Sequence, residues 1–294
     1  MLLFARKSQL DRFIKLKLLL FSRNDTMNAH SMNRRAQLLT MGAVALSPWP
    51  GVTYAQVISP SDAIDKAEAL HMTSQRATKG YLAIALGVRP ELAVVARDAA
   101  MTQFDRQLTE LLAYAPTPPV RKTYADLRAL WLEMKSDLVG RKPGVDGARA
   151  LLGEDAAVSK LANTGAQQLQ EYAGKPTSRL VGMAGDIRML SQRIAKFYFA
   201  SGYGMTAAAA SAEIATGERD FLDLKEQLKK APQSTQALRD QLELVSAQWV
   251  FLDNAVRQKY DKASQVRLRG AVWSTSETIL QVMNNLVQGY AKLA

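Results

Sequence analysis

The sequence predicts an all-α protein made of two tandem up-down-up-down helical bundles, each a repeat of about four helices. Three observations predict it. From residue 60 onward apolar residues recur at helical spacing nearly throughout, and strand signals are essentially absent. Clusters of Gly and Pro cut that stretch into segments of helix length. One pattern then occurs twice: residues 67–81 read AEALHMTSQRATKGY and residues 184–198 read AGDIRMLSQRIAKFY. Seven of the fifteen positions are identical (Ala67/Ala184, Met72/Met189, Ser74/Ser191, Gln75/Gln192, Arg76/Arg193, Lys79/Lys196 and Tyr81/Tyr198), each pair 117 residues apart. About one identity is expected by chance from ordinary residue usage, and a fixed period of this kind sets the architecture.

The elements follow in order. Ser59, Pro60, Ser61 and Asp62 offer a cap for a first helix over about 62–87, which stops at Gly87 and Pro90. A second helix spans about 90–114 and ends in the proline-rich stretch 115–119. A third spans about 119–139 and stops at Gly140. A short piece over 145–152 leads into a fourth helix over 155–173, and Gly174 with Pro176 closes the first unit. The second unit repeats the plan: about 177–201 with Thr177 or Ser178 as cap, a break at Gly202 and Gly204, then 206–230, 234–260 and 264–293. Echoes persist outside the repeated box, with Phe104 matching Phe221, Trp131 matching Trp249, Ala115 matching Ala231 and Tyr172 matching Tyr290. Helices of about 25 residues are about 38 Å long and, joined by short loops, make bundles. Two bundles in series and one interleaved bundle are both compatible with the spacing. The domains are thus a leader over 1–55, a first repeat over 56–175 and a second over 176–294.

Composition excludes several chemistries. There is no cysteine, so disulfides, zinc–thiolate sites and thiol nucleophiles are absent. Of the two histidines, His30 and His71, only His71 lies past the leader, which excludes a histidine-based metal cluster within one chain. No glycine-rich phosphate loop or paired-carboxylate motif appears. Neither an enzyme activity, a cofactor nor a metal is expected. The net charge is +11, yet residues 1–55 hold eight of the 38 Lys/Arg and two of the 27 Asp/Glu, so the remainder carries about +5. Those charges are interspersed, which speaks against nucleic acid as a partner.

Residues 32–55 have the order of an export signal: Arg34 and Arg35, an apolar run from Leu38 to Leu46, and the small-residue ending at Ala55. The adjacent arginines resemble a twin-arginine signal, with Gln37 where that motif prefers an aromatic. Cleavage is expected between Ala55 and Gln56, giving a periplasmic protein; an uncleaved anchor is the alternative. Residues 1–26 fit poorly ahead of such a signal and read as a misassigned start. Beyond residue 55 no apolar run approaches the ~20 residues of a spanning helix.

On a helical wheel each box presents two polar faces. Ala67, His71, Ser74 and Tyr81 share one, as do Ala184, Arg188, Ser191 and Tyr198. The other carries Met72, Gln75, Arg76 and Lys79, with Met189, Gln192, Arg193 and Lys196 as counterparts. In the second copy a core stripe is plain (Leu180, Met183, Ile187, Leu190, Ile194, Phe197), and the Arg188/Ser191 face borders it. In the first copy the stripe is degraded to Ala63, Lys66, Leu70, Thr73, Ala77 and Gly80. An arginine with a hydroxyl one turn later beside a core seam is an anion pocket in outline. The other reading is that Arg188 pairs with a carboxylate on a neighbouring helix. His71 is either a weaker, pH-sensitive donor or a half-buried structural residue.

The box from Ile187 to Lys196 resembles the N-terminal sensor domain of type IV pilus methyl-accepting chemotaxis transducers, which is similar to the periplasmic domain of nitrate/nitrite sensor kinases. The resemblance implies helical bundles, a periplasmic location and a signal-input role. It also implies an anion-binding arginine near a dimer axis, which carries over to Arg188 and not to His71. Sensors of this kind are normally bracketed by two spanning helices and followed by a signalling module; without them this chain is expected to present itself to a membrane signalling partner. The expected function is therefore a non-enzymatic sensor-type binding protein for a small anion such as nitrate or nitrite, held by Arg188, Ser191, Gln192, His71 and Ser74, with a homodimer possible. The alternative is a ligand-free helical module that docks a membrane receptor or itself through the faces of Arg76, Lys79, Arg193 and Lys196.

Overall fold

A computed structural model describes residues 56–293 apart from 58, 143, 204, 206 and 259–261. The export signal and the start-site reading lie outside the described residues. Those residues form eight α-helices and no strand: α1 (Pro60–Ala85), α2 (Pro90–Tyr114), α3 (Pro118–Gly140), α4 (Val145–Ala173), α5 (Pro176–Ala200), α6 (Ala207–Lys230), α7 (Gln236–Arg257) and α8 (Lys262–Ala291). A 3₁₀ turn, Ser201–Tyr203, follows α5 where Gly202 was expected to break it. None of these helices is long and apolar enough to cross a membrane.

Local chemistry sets most of the boundaries. Ser59 caps α1, its side chain accepting from the Asp62 amide at 3.1 Å. Thr117 and Thr235 cap α3 and α7 in the same way, and Pro stands in the first turn of α1 to α5 except α4. Two expectations fail. Neither Thr177 nor Ser178 caps α5; Lys175 holds that position, without a side-chain capping bond. The break expected between 152 and 155 is absent, and α4 runs through Gly153. One buried stripe, Ala148, Leu151, Asp155, Val158, Ala162 and Ala166, crosses that point at spacings of three and four. Its packing outweighs the ~1 kcal/mol that a helical glycine costs.

Packing is organised around α1 and α5. Helix α1 lies against α2 and α4, while α3 lies against α4 and touches α2, so α1 to α4 close a ring. Helix α5 lies against α6 and α8, and α7 against α8, so α5 to α8 close another. The two rings meet through α1 and α5. Contacts join Glu68 to Gly185, Lys79 to Gln192 and Leu86 to Gly202, so these two helices run in the same direction, near the 117-residue offset. Positions that echo in sequence also echo in packing. Phe104 stacks on Trp131 at 3.8 Å and Phe221 on Trp249 at 3.9 Å. Tyr172 and Tyr290 do not: the first is exposed and the second fully buried. The small residues of the first copy's stripe let α2 approach closely, and a Cβ on Gly80 would meet the Arg97 Cβ at 2.9 Å.

Candidate functional site

Because α1 and α5 have neighbours on every side, the polar faces of the two boxes lie inside the protein. Lys79 is fully buried, Lys196 nearly so, and Met72 and Met189 are buried as well. The expectation that Lys79 and Lys196 face a partner is therefore corrected. A charged side chain reads as solvated on an isolated helix, but here each meets a carboxylate from the opposite ring. Lys79 Nζ donates to Glu277 Oε1 and to Gln192 Oε1, both at 2.6 Å, and to Ser276 Oγ at 3.0 Å. Lys196 Nζ donates to Asp155 Oδ2 at 2.5 Å. Each lysine thus crosses from its own ring to the fourth helix of the other.

The glutamines stay at home. Gln75 donates to Ser159 and Gln192 to the Ser276 carbonyl at 2.9 Å, and Ser159 and Ser276 are again 117 residues apart. Arg76 and Arg193 are half-buried rather than presented to solvent. Arg76 holds Glu277 through two nitrogens, at 3.1 and 2.6 Å, and Arg193 holds Glu213 at 2.6 Å. Charge sharing moves the Glu277 carboxyl down to about 2: burial alone would raise it, and Lys79 and Arg76 outweigh that. Burial in turn lowers Lys79 to about 8, against the pull of Glu277.

The other expected face fares differently. Arg188 is 4% exposed. One nitrogen donates to Asp65 Oδ1 at 2.9 Å and the Asp65 carbonyl at 3.3 Å, another to Asn284 Oδ1 at 3.2 Å, and Nε has no hydrogen-bond partner. Arg188 thus pairs with a carboxylate on the neighbouring helix α1. Ser191 and Ser74 each bond the carbonyl one turn back, and Ser74 also meets Ser159 Oγ at 3.2 Å. Gln192 is engaged by Lys79 and Ser276, and Arg188, Ser191 and Ser74 are each held by hydrogen bonds within the protein.

A cavity of about 290 Å³ lies between α1, α4, α5 and the start of α6, walled by His71, Gln75, Asp155, Ser159, Lys160, Asn163, Arg193, Lys196, Phe197 and Glu213. Arg193, Lys196 and Lys160 face Asp155 and Glu213 there. Burial first, then Arg193 and Lys196, push the His71 imidazole down to about 4, so it is neutral at physiological pH. Asp155 Oδ1 and Gln75 Oε1 have no hydrogen-bond partner. Sequence reasoning missed Asp155, Ser159, Lys160 and Asn163 because α4 carries no echo of the box.

On the other side of His71, between α1 and α5, Glu68 and Asp186 stand close together. Both carboxyls are pushed up, Glu68 by burial and then by Asp186, and Asp186 to about 7 by burial and Asp220.

Residues 174–274 match the family PilJ, described as the N-terminal part of type IV pili methyl-accepting chemotaxis transducers. The matched stretch runs from the start of α5 into α8 and contains the second box, so this part of the chain is similar to a sensory and signalling module. No curated protein and no solved structure matches the chain.

Proposed function

We propose that this chain is a non-enzymatic, exported sensor module that holds a small polar anion in the cavity between α1, α4 and α5 and reports its occupancy to a membrane signalling partner. One observation carries the reading: the cavity takes His71 and Gln75 from the first box and Arg193 and Lys196 from the second. A ligand there touches both of the parallel helices at the centre of the molecule, so binding bears on how the rings are held together. Three cationic side chains against two carboxylates favour negative charge. The unpartnered acceptors Asp155 Oδ1 and Gln75 Oε1 favour a ligand that also donates, such as a hydroxy or amino acid, over bare nitrate.

In this reading each ring is one copy of the sensor fold, and the α1–α5 pair supplies within one chain the axis at which the resembling sensors dimerise. Arg188 keeps its place beside that axis, and its anion is the chain's own Asp65. Export through residues 32–55 places the module in the periplasm.

The test is calorimetry and thermal shift on the purified chain with nitrate, nitrite, small carboxylates and amino acids. Binding is expected to be lost in Arg193→Gln and kept in Arg188→Gln. The opposite pattern returns the site to Arg188; no binding at millimolar concentration removes ligand sensing altogether.

A further inference from the structure

One atom each from Glu68, His71 and Asp186 can lie within 4.8 Å of the other two. Glu68 and His71 sit one turn apart on α1, and Asp186 comes from α5. Glu68 is 1% exposed and His71 8%. Glu68 Oε1 accepts from Gln170 at 3.1 Å, but Oε2 has no partner, and neither does His71 Nδ1. A buried carboxylate and a buried imidazole, each with one atom lacking a donor or acceptor, beside a second carboxylate form a place that lacks a positive centre. Arg188, the cation that acts on Glu68, is already bound to Asp65.

We propose that Glu68, His71 and Asp186 bind one divalent first-row transition-metal ion of the zinc class, which clamps α1 to α5. One imidazole nitrogen and two carboxylate oxygens are a donor set for zinc, manganese, iron or cobalt rather than for calcium or magnesium. Bonds of about 2.1 Å to a common centre need ligand atoms within about 4 Å of one another, so metal binding draws the three side chains together by up to about 1 Å. The single histidine does not forbid the site, because the carboxylates complete it and solvent can take a fourth position on the Asp186 side. The ligands span the junction of the two rings, so the ion acts as a fastener between them.

The test uses the full chain stripped with a chelator and then titrated with zinc or cobalt. One equivalent is expected to bind, with visible cobalt absorption bands and a rise in the unfolding midpoint of at least about 3 °C. His71→Asn and Asp186→Asn are each expected to abolish both effects. Should those variants fail to fold, imidazole NMR on the parent decides: the chain has two histidines, and zinc is expected to shift one resonance that persists in His30→Ala. Absence of binding by the parent chain, unchanged binding in the variants, or a shift lost in His30→Ala overturns the site.

Discussion

Lys196 and Asp155 meet with both side chains withdrawn from solvent, 4% and 0% exposed. Removing either alone strands a charge in the core, so Lys196→Ala and Asp155→Ala are each expected to lower the unfolding free energy by about 3–5 kcal/mol. Replacing both together is expected to cost less than the two losses combined, and urea denaturation of the four chains measures the difference. Losses below about 1 kcal/mol would mean that water reaches the pair. Glu277 sets a pH limit. Its folded value of about 2 lies below the ordinary 4.5, so its stabilising contribution is complete above pH 4.5 and disappears as pH falls toward 2. That contribution is on the order of 3 kcal/mol. Glu277→Gln is expected to be less stable at neutral pH and to lack this part of the acid loss; parallel curves for the two chains would refute the assignment. The box residues themselves were legible as a conserved unit within the chain, but their burial was not. Whether Lys79 is solvated depends on Glu277, 198 residues away, and no helical wheel contains that information.

Among the helices, glycines mark where backbones approach. A Cβ on Gly185 would stand 2.5 Å from the Glu68 Cβ and Cγ, atoms too near the α1 backbone to swing aside. Gly185→Ala is expected to cost about 1–3 kcal/mol by prising α1 from α5. Gly153 in α4 has nothing within 4 Å of that position, so Gly153→Ala is expected to add up to about 1 kcal/mol through helix propensity alone. Thermal denaturation of both variants checks the contrast, and equal effects would place the helix contact elsewhere. Helix existence and most ends were readable, because Ser59 caps locally and the Gly/Pro clusters terminate locally. The join at Gly153 was not, since only the packed stripe from Ala148 to Ala166 decides it. The closeness of α1 and α5 was hidden for the same reason: Gly185 takes its meaning from Glu68.

At the scale of the molecule, the stacked pairs Phe104–Trp131 and Phe221–Trp249 show two rings of similar build, and α1 and α5 join them. The face of α5 that packs on α1 is covered within one chain. The full chain is expected to be a monomer near its mass of 32.3 kDa in light scattering, whereas residues 174–294 expressed alone are expected to self-associate through the bared face of α5. A monomeric fragment would show that the α1–α5 contact is dispensable. The lysines that cross between the rings carry a further implication. Each half of the chain carries a charge whose counterpart lies in the other half, so loss of one strands the other. Neither half can therefore be redesigned by itself at these positions: a replacement for Lys79 or Lys196 has to be matched at Glu277 or Asp155 across the junction.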